Sequence, residues 1–249
     1  MKTVVCIKRT PDTEAKIRLG DDGGSIDPEG VKFIISPYDE FAVEAALQTK
    51  EAAADGDVVL LSMGGEDTKE TLRQGLAMGA DQAVLLKGDP GLDGLATAKA
   101  LAAELKSMDA SLILFGMKGA DMDQQQVGPM TATLLGLPCA TAVSEFELAG
   151  ETLTCHRDVE GGTEILEMDL PAVVTMTKGK FEPRYASLKG IMAAKRKPLE
   201  EKDAQGGEAR LVVRELSYPP ERPAGRVVGE GPEAAGELVR LLREEAKAL

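Results

Sequence analysis

Two segments of the 249-residue chain carry residue types that hold phosphate: "SMGGEDT" at 62–68 and "GMKGADMDQQQVG" at 116–128. Each follows an apolar run and leads into a helical pattern. Glycine lets a backbone approach a ligand closely, and the first N–H groups of a helix have no partner within it. Such a turn can seat an anion. Gly64 and Gly65 would allow the approach, Gly116 opens the second turn, and the backbone of Gln125, Gln126 and Val127 would face a phosphate. The competing reading is that both turns are plain surface connections. There is no Walker A motif and no GxGxxG after the first apolar run. Covalent chemistry is less well served. His156, the one histidine, lies in a hairpin pattern without a GxSxG or Cys–His context. Cys6, Cys139 and Cys155 are far apart, with no CxxC and no metal spacing. No catalytic residue and no metal site is predicted.

A third segment, "EPRYASLKGIMAAKRKPLE" at 182–200, stands out by charge. The chain has 29 Lys+Arg against 42 Asp+Glu, a net charge of −13. That balance argues against a nucleic-acid binder, which needs a positive surface. Yet between Lys178 and Lys197 there are seven basic residues and one acidic residue, Glu182. Tyr185, Leu188, Ile191 and Met192 are set among them. One reading is a solvated helix face with Leu188 and Ile191 packed in the chain's own core. The other is a docking segment whose apolar side chains enter a partner while the basic ones steer the encounter.

The elements that must position these segments alternate. "TVVCIK" (3–8), "DVVLLSM" (57–63), "QAVLLK" (82–87) and "SLILFG" (111–116) are apolar runs of strand length. Between them lie helical stretches at 39–54, with Asp39 as N-cap, at 67–79, ended by Gly79, and at 94–107; a further helix is expected at 124–136. Strands apolar throughout need both faces covered, so the fold class is α/β with a doubly wound, mainly parallel sheet. After residue 140, alternating apolar and polar residues broken by "AGE" and "EGG" predict added β-hairpins, and "PAVVTM" (171–176) can return to the main sheet as a fifth strand. An early hairpin is expected from "AKIRL" and "VKFI" around "GDDGGSIDPEG". Residues 198–231 read as an extended arm and 232–249 as an amphipathic terminal helix, with Ala235, Leu238, Leu242 and Ala246 on one face. That helix packs either on its own domain or on another chain. The N-terminal run Val4–Ile7 is too short for a signal peptide, and no stretch of about 18 apolar residues occurs, so direct membrane insertion is not expected. Three unpaired cysteines fit a cytoplasmic protein.

With "AVEAAL", "LAMGAD", "VEGGTEILEMDLPAVVT" and "EPRYASLKGIMAAKRK" in view, the chain resembles the β subunit of an electron transfer flavoprotein, over roughly residues 2–249. The most specific part is "DVEGGTEILEMDLPAVVT" (158–175) followed by "EPRYASLKGIMAAKRK" (182–197). The resemblance implies a Rossmann-like, adenine-nucleotide-binding domain over 1–197 and an arm over 198–249 that docks on a larger α subunit. It implies a heterodimer and an electron carrier of fatty acid oxidation, not an enzyme in the strict sense. It further implies that FAD is held mainly by α, with β covering one side, and that AMP is bound within β. On that resemblance, electrons would come from acyl-CoA and related dehydrogenases and go to a quinone reductase.

By the same resemblance, AMP contacts fall on Cys6, Ser36, Met63, Gly64, Gly116, Gln125, Gln126 and Val127, while Tyr38 and Asp158 lie near the FAD. Ser36 stands where the family commonly has Asn, and Val127 has no hydroxyl to offer. The segment at about 182–194 corresponds to a recognition loop, with Leu188 as anchor beside Arg184, Tyr185, Lys189, Ile191 and Met192. "QVGP" (126–129) is similar to electron-bifurcating members that carry a second FAD in place of AMP, whereas "EPRYASL" is similar to the AMP type. AMP is the expectation and a second FAD the alternative. A third reading is an ATP-consuming protein, because "SMGGED" is loosely similar to the SGGxD loop of ATP pyrophosphatases.

Overall fold

A computed structural model describes residues 1–222 and 224–249. Among the described residues there are eleven strands and six α-helices. The first half contains β1 (Lys2–Cys6), β2 (Arg9–Pro11), β3 (Phe33–Ile35), α1 (Pro37–Ala53), β4 (Asp57–Gly64), α2 (Thr68–Met78), β5 (Gln82–Lys87), α3 (Gly94–Met108) and β6 (Leu112–Gly116). It is followed by α4 (Val127–Leu135), β7 (Cys139–Ala149), β8 (Thr152–Val159), β9 (Gly162–Asp169), β10 (Ala172–Met176), α5 (Leu188–Ala194), β11 (Leu199–Asp203) and α6 (Ala235–Glu244).

Nine strands form one sheet in the order β11-β5-β4-β1-β6-β10-β7-β8-β9. Neighbours from β11 to β7 pair in parallel, and β7, β8 and β9 pair antiparallel. The doubly wound reading is therefore what the chain adopts. Val4, Val5, Leu60, Leu61, Leu112, Ile113 and Leu114 are all buried. Their alternation sends side chains to two separate cores. One packs against α1 and α2 through Ala42, Val43, Leu72 and Leu76. The other packs against α3 and α4 through Leu101, Leu105 and Ala132. Each fully buried aliphatic side chain contributes about 1.5–3 kcal/mol by transfer.

Four local expectations need correction. Asp39 is not the N-cap of α1; that place is taken by Ser36, with Pro37 at the first helical position. The early hairpin pairs Phe33–Ile35 with Arg9–Pro11, not with "AKIRL". The Asp22 carboxylate accepts from the N–H groups of Gly24 and Ser25 and closes a local turn. That turn draws Leu19 against Ile26 and leaves the rest of "AKIRL" outside the ladder. The helix expected at 124–136 begins only at Val127, because Asp123 and Gln125 adopt left-handed φ values of 53° and 52°. Finally, the polar stretch after 198 contributes β11, which extends the sheet in parallel beside β5. Its residues, Leu-Glu-Glu-Lys-Asp, are joined through the backbone and need no apolar period.

Candidate functional site

The strand order places a switch point at β1, which has β4 on one side and β6 on the other. In such sheets ligands bind beyond the strand C-termini at this crevice. Cys6, the last residue of β1, is paired with Leu61 and Phe115. Met63 and Gly64 end β4, and Gly116 ends β6. Ser36, Tyr38, Gln126 and Val127 lie at the starts of α1 and α4. The sequence-derived nucleotide set is thus brought to one rim. Residues 121–126 are exposed there. Gln126 makes no side-chain cap to α4, so the first N–H groups of that helix stay open to a ligand. The two left-handed non-glycine residues beside it add backbone strain of the kind that gathers at ligand sites.

The rim is tied together from below. The Ser36 hydroxyl donates to the Lys118 carbonyl and accepts from the Ala120 N–H, each at 3.3 Å. Lys8 Nζ bonds Asp121 at 2.6 Å. Lys118 pairs with Asp123 at 2.9 Å and lies 5.6 Å from the centre of the Tyr38 ring. Asp39, which sequence reasoning took for a cap, is buried in the first turn of α1. Its Oδ2 accepts from the Lys8 N–H at 2.6 Å and its Oδ1 from the Gly116 N–H at 2.9 Å. One carboxylate therefore joins the loop after β1 to the end of β6. Burial pushes its carboxyl up to about 7, against the pull of those two N–H donors. Burial, followed by the nearby Asp39 charge, also pushes the Cys6 thiol well up. Cys6 is thus a thiol rather than a thiolate, and it can serve the rim through shape and backbone only.

The two residues assigned to the flavin are not brought together. Tyr38 is on this rim. Asp158 is on β8, four strands along from β1, where it accepts a hydrogen bond from the Thr163 hydroxyl at 3.2 Å.

The basic segment resolves into two parts. Ser187 caps α5 by accepting from the Gly190 N–H at 3.0 Å. Gly190 packs so close to α2 that a Cβ there would lie 2.4 Å from the Ala77 carbonyl oxygen. Arg73 on α2 donates to the carbonyls of Ala194 and Lys197, at 2.5 and 2.7 Å. Tyr185, Leu188 and Met192 point outward, at 99 %, 84 % and 65 % exposure, and Ile191 is exposed at 44 %. The reading in which Leu188 and Ile191 pack in the core does not hold; Ala194 takes that place. A groove of about 700 Å³ runs under this segment, lined by Ile35, Glu70, Met78, Tyr185 and Ile191 among others, and is distinct from the strand-end rim.

Not all the basic residues face solvent. Lys197 Nζ donates to the carbonyls of Leu76, Gly79 and Ala80 and so caps the end of α2. Lys180 pairs with Glu145. Arg184 is turned inward: it bonds Glu44 at 2.7 and 2.9 Å and Glu51 at 2.6 Å. Lys178, Lys189, Lys195 and Arg196 make no ion pair among the described residues. The Glu44 side chain is 3 % exposed. Hydrogen bonds from Arg184 and Gln48 outweigh burial and hold its carboxyl below the usual range. The sequence signal for this pair was a lone Glu inside the apolar "AVEAAL". Arg184→Ala leaves a buried charge unpaired. With Arg184 itself a third exposed, the expected loss is about 2 kcal/mol. Thermal melting checks it, and a melting point equal to wild type would mean that Glu44 is not held by this pair.

Known proteins share these features of sequence. A family model described as "Electron transfer flavoprotein domain" matches residues 23–205. The protein named electron transfer flavoprotein subunit beta in Syntrophomonas wolfei is 40 % identical over 248 residues, covering 99 % of this chain and 98 % of its own. The protein of that name in Bacillus subtilis is 42 % identical over 260 residues and the full length of both. The human one is 36 % identical over 252 residues, 98 % of this chain and 97 % of its own. Similarity of that extent, end to end, leaves one assignment: the chain belongs to the electron transfer flavoprotein β-subunit family.

Proposed function

We propose that the chain pairs with an electron transfer flavoprotein α subunit, carries AMP at the switch-point rim, and forms one side of an FAD held mainly by α. It accepts electrons for that flavin from acyl-CoA and related dehydrogenases and passes them to a quinone reductase. The supporting observation is the convergence at one rim of Met63, Gly64, Gly116 and the open start of α4. Gly64 and Gly116 let the strand ends sit tight against the helix starts that form the rim, and the backbone of Gln125, Gln126 and Val127 is free to hold the phosphate of an adenylate. AMP supplies no redox chemistry; bound there, it fills and orders the cleft. FAD supplies the redox chemistry. Tyr38 and Asp158 are the residues of this chain that would face it, and their separation is in keeping with a flavin enclosed mainly by another chain.

Docking falls to α5 and the residue turn before it. Leu188, Tyr185, Ile191 and Met192 are the apolar contacts, and Lys189, Lys195 and Arg196 steer the approach of an acidic partner. Arg184 contributes from behind, as the tether to α1. This arrangement suits a carrier that must leave each partner quickly. The bifurcating alternative draws on Val127, which offers no hydroxyl to a phosphate. The natively coexpressed complex, denatured and analysed by chromatography, separates the two. One AMP per FAD is expected. Two FAD and no AMP would instead make the rim a second flavin site.

A further inference from the structure

We propose that the chain following β11 forms an outer wall of the nucleotide cleft, and that Asp93 fastens it there, so that this fastening sets how fast the nucleotide leaves. The inference rests on the nucleotide reading above.

The placement follows from register. Asp203 at the end of β11 is opposite Lys87, and Lys87 is opposite Gly64. The arm therefore leaves the sheet at the same strand-end rim. Its first residue, Ala204, donates its N–H to the Lys87 carbonyl at 2.9 Å. Ala204 and Met63 both crowd Gly88, where a Cβ would lie 3.0 Å from Ala204 Cβ and 3.6 Å from Met63 Cγ. Gly206 then lies on the first turns of α3, within 3.2 Å of the Ala96 carbonyl by the same measure.

Asp93 closes the arrangement. Its Oδ1 accepts from the Ala96 N–H at 2.8 Å and caps α3. Its Oδ2 accepts from the N–H groups of Arg210 and Leu211 at 2.6 and 2.9 Å. The next residue, Gly94, faces the side-chain oxygens of Gln126 and Gln124, which would lie 3.3 and 3.5 Å from a Cβ there. One carboxylate thus joins the arm to the start of α3, and Gly94 beside it adjoins the loop that would cradle the phosphate. These N–H bonds, the one from Ala96 foremost, hold its carboxyl below the usual range. A residue that served only as a helix cap would use one oxygen. Asp93 uses both, and the second is spent on chain more than a hundred residues away.

Asp93→Ser separates the two roles, because serine caps a helix but is too short to reach the arm as well. Asp93→Ala removes both. The measurements are made on the coexpressed heterodimer: amide hydrogen exchange at Arg210 and Leu211, and dissociation of bound AMP after dilution. In Asp93→Ser both rates are expected to rise about tenfold, the effect of losing a charge-assisted hydrogen bond, with the exchange of α3 unchanged. Faster exchange with unchanged AMP release overturns the wall. Unchanged exchange overturns the fastener. AMP release that rises only in Asp93→Ala assigns the effect to the helix cap and overturns the proposal too. A wild-type complex without nucleotide would sink the cleft reading itself, whatever the exchange rates show.

Discussion

Leu188→Ala is expected to slow reduction of the coexpressed complex by an acyl-CoA dehydrogenase about 30-fold, the size of an interface hot spot worth about 2 kcal/mol. Its melting point and its flavin and nucleotide content are expected to stay at wild-type values. The two halves of this result come from one fact: Leu188 begins α5 with 84 % of its surface in water. An exposed leucine contributes little to its own fold, so truncation leaves the fold alone. The same exposure makes it available to a pocket on a partner, where burial is worth about 1.5–3 kcal/mol. The rigid seat matters as much as the side chain. Gly190 against the Ala77 carbonyl and Arg73 on the last carbonyls of the segment fix α5 on α2, so less side-chain and backbone entropy is lost on docking. Stopped-flow reduction of the variant with several dehydrogenases checks the prediction. Equal rates for variant and wild type would remove Leu188 from the docking surface.

Gly116→Ala is expected to cost the fold heavily. A Cβ at this position would lie 2.3 Å from Asp39 Oδ1, 2.6 Å from the Asp39 nitrogen and 2.7 Å from the Tyr38 carbonyl carbon. Two of these are backbone atoms at the start of a helix whose next turns are anchored by buried Ala42, Val43 and Ala46. Neither side can yield without unseating α1 or β6. The expected loss is about 3 kcal/mol, or roughly 6–12 °C in melting point, with loss of bound nucleotide because the rim itself is displaced. Gly136→Ala serves as the contrast. Gly136 ends α4 at φ 69°, and a Cβ there meets nothing within 4 Å. Its cost is the backbone preference alone, about 1–2 kcal/mol. If Gly116→Ala melts no lower than Gly136→Ala, close approach at β6 is not what shapes the rim.

What was legible in the sequence follows from how each element is stabilised. Buried parallel strands are written as unbroken apolar runs, so "QAVLLK" matches β5 residue for residue. β11 was not legible because "LEEKD" is an edge strand joined by its backbone, with salt bridges such as Lys202–Glu104 on its side chains. The apolar residues of the basic segment were visible, but their direction was not; only the fold shows that Ala194 faces the core while Leu188 faces water. Asp39 was visible but misread. Ser36-Pro37 already marks the cap and first position of the helix, which frees Asp39 for the rim. The second use of Asp93 left no trace in the sequence, since its partners are the backbone of Arg210 and Leu211.

The sheet ends at β9, and that outer strand bears on what the chain does while it is alone. An unpaired strand edge is a template for aggregation. Leu166 and Met168 turn toward the core and share their face of β9 with Glu164, which pairs with Arg157, while Glu167 and Asp169 lie on the opposite, exposed face beside Ile165, with Gly161 and Gly162 at the turn that begins the strand. Stacking a second copy edge to edge would bring these carboxylates together in a protein already at net charge −13. That charge opposes growth of the sheet into a neighbouring copy through its free edge, and the opposition weakens as salt screens the charges or acid neutralises them.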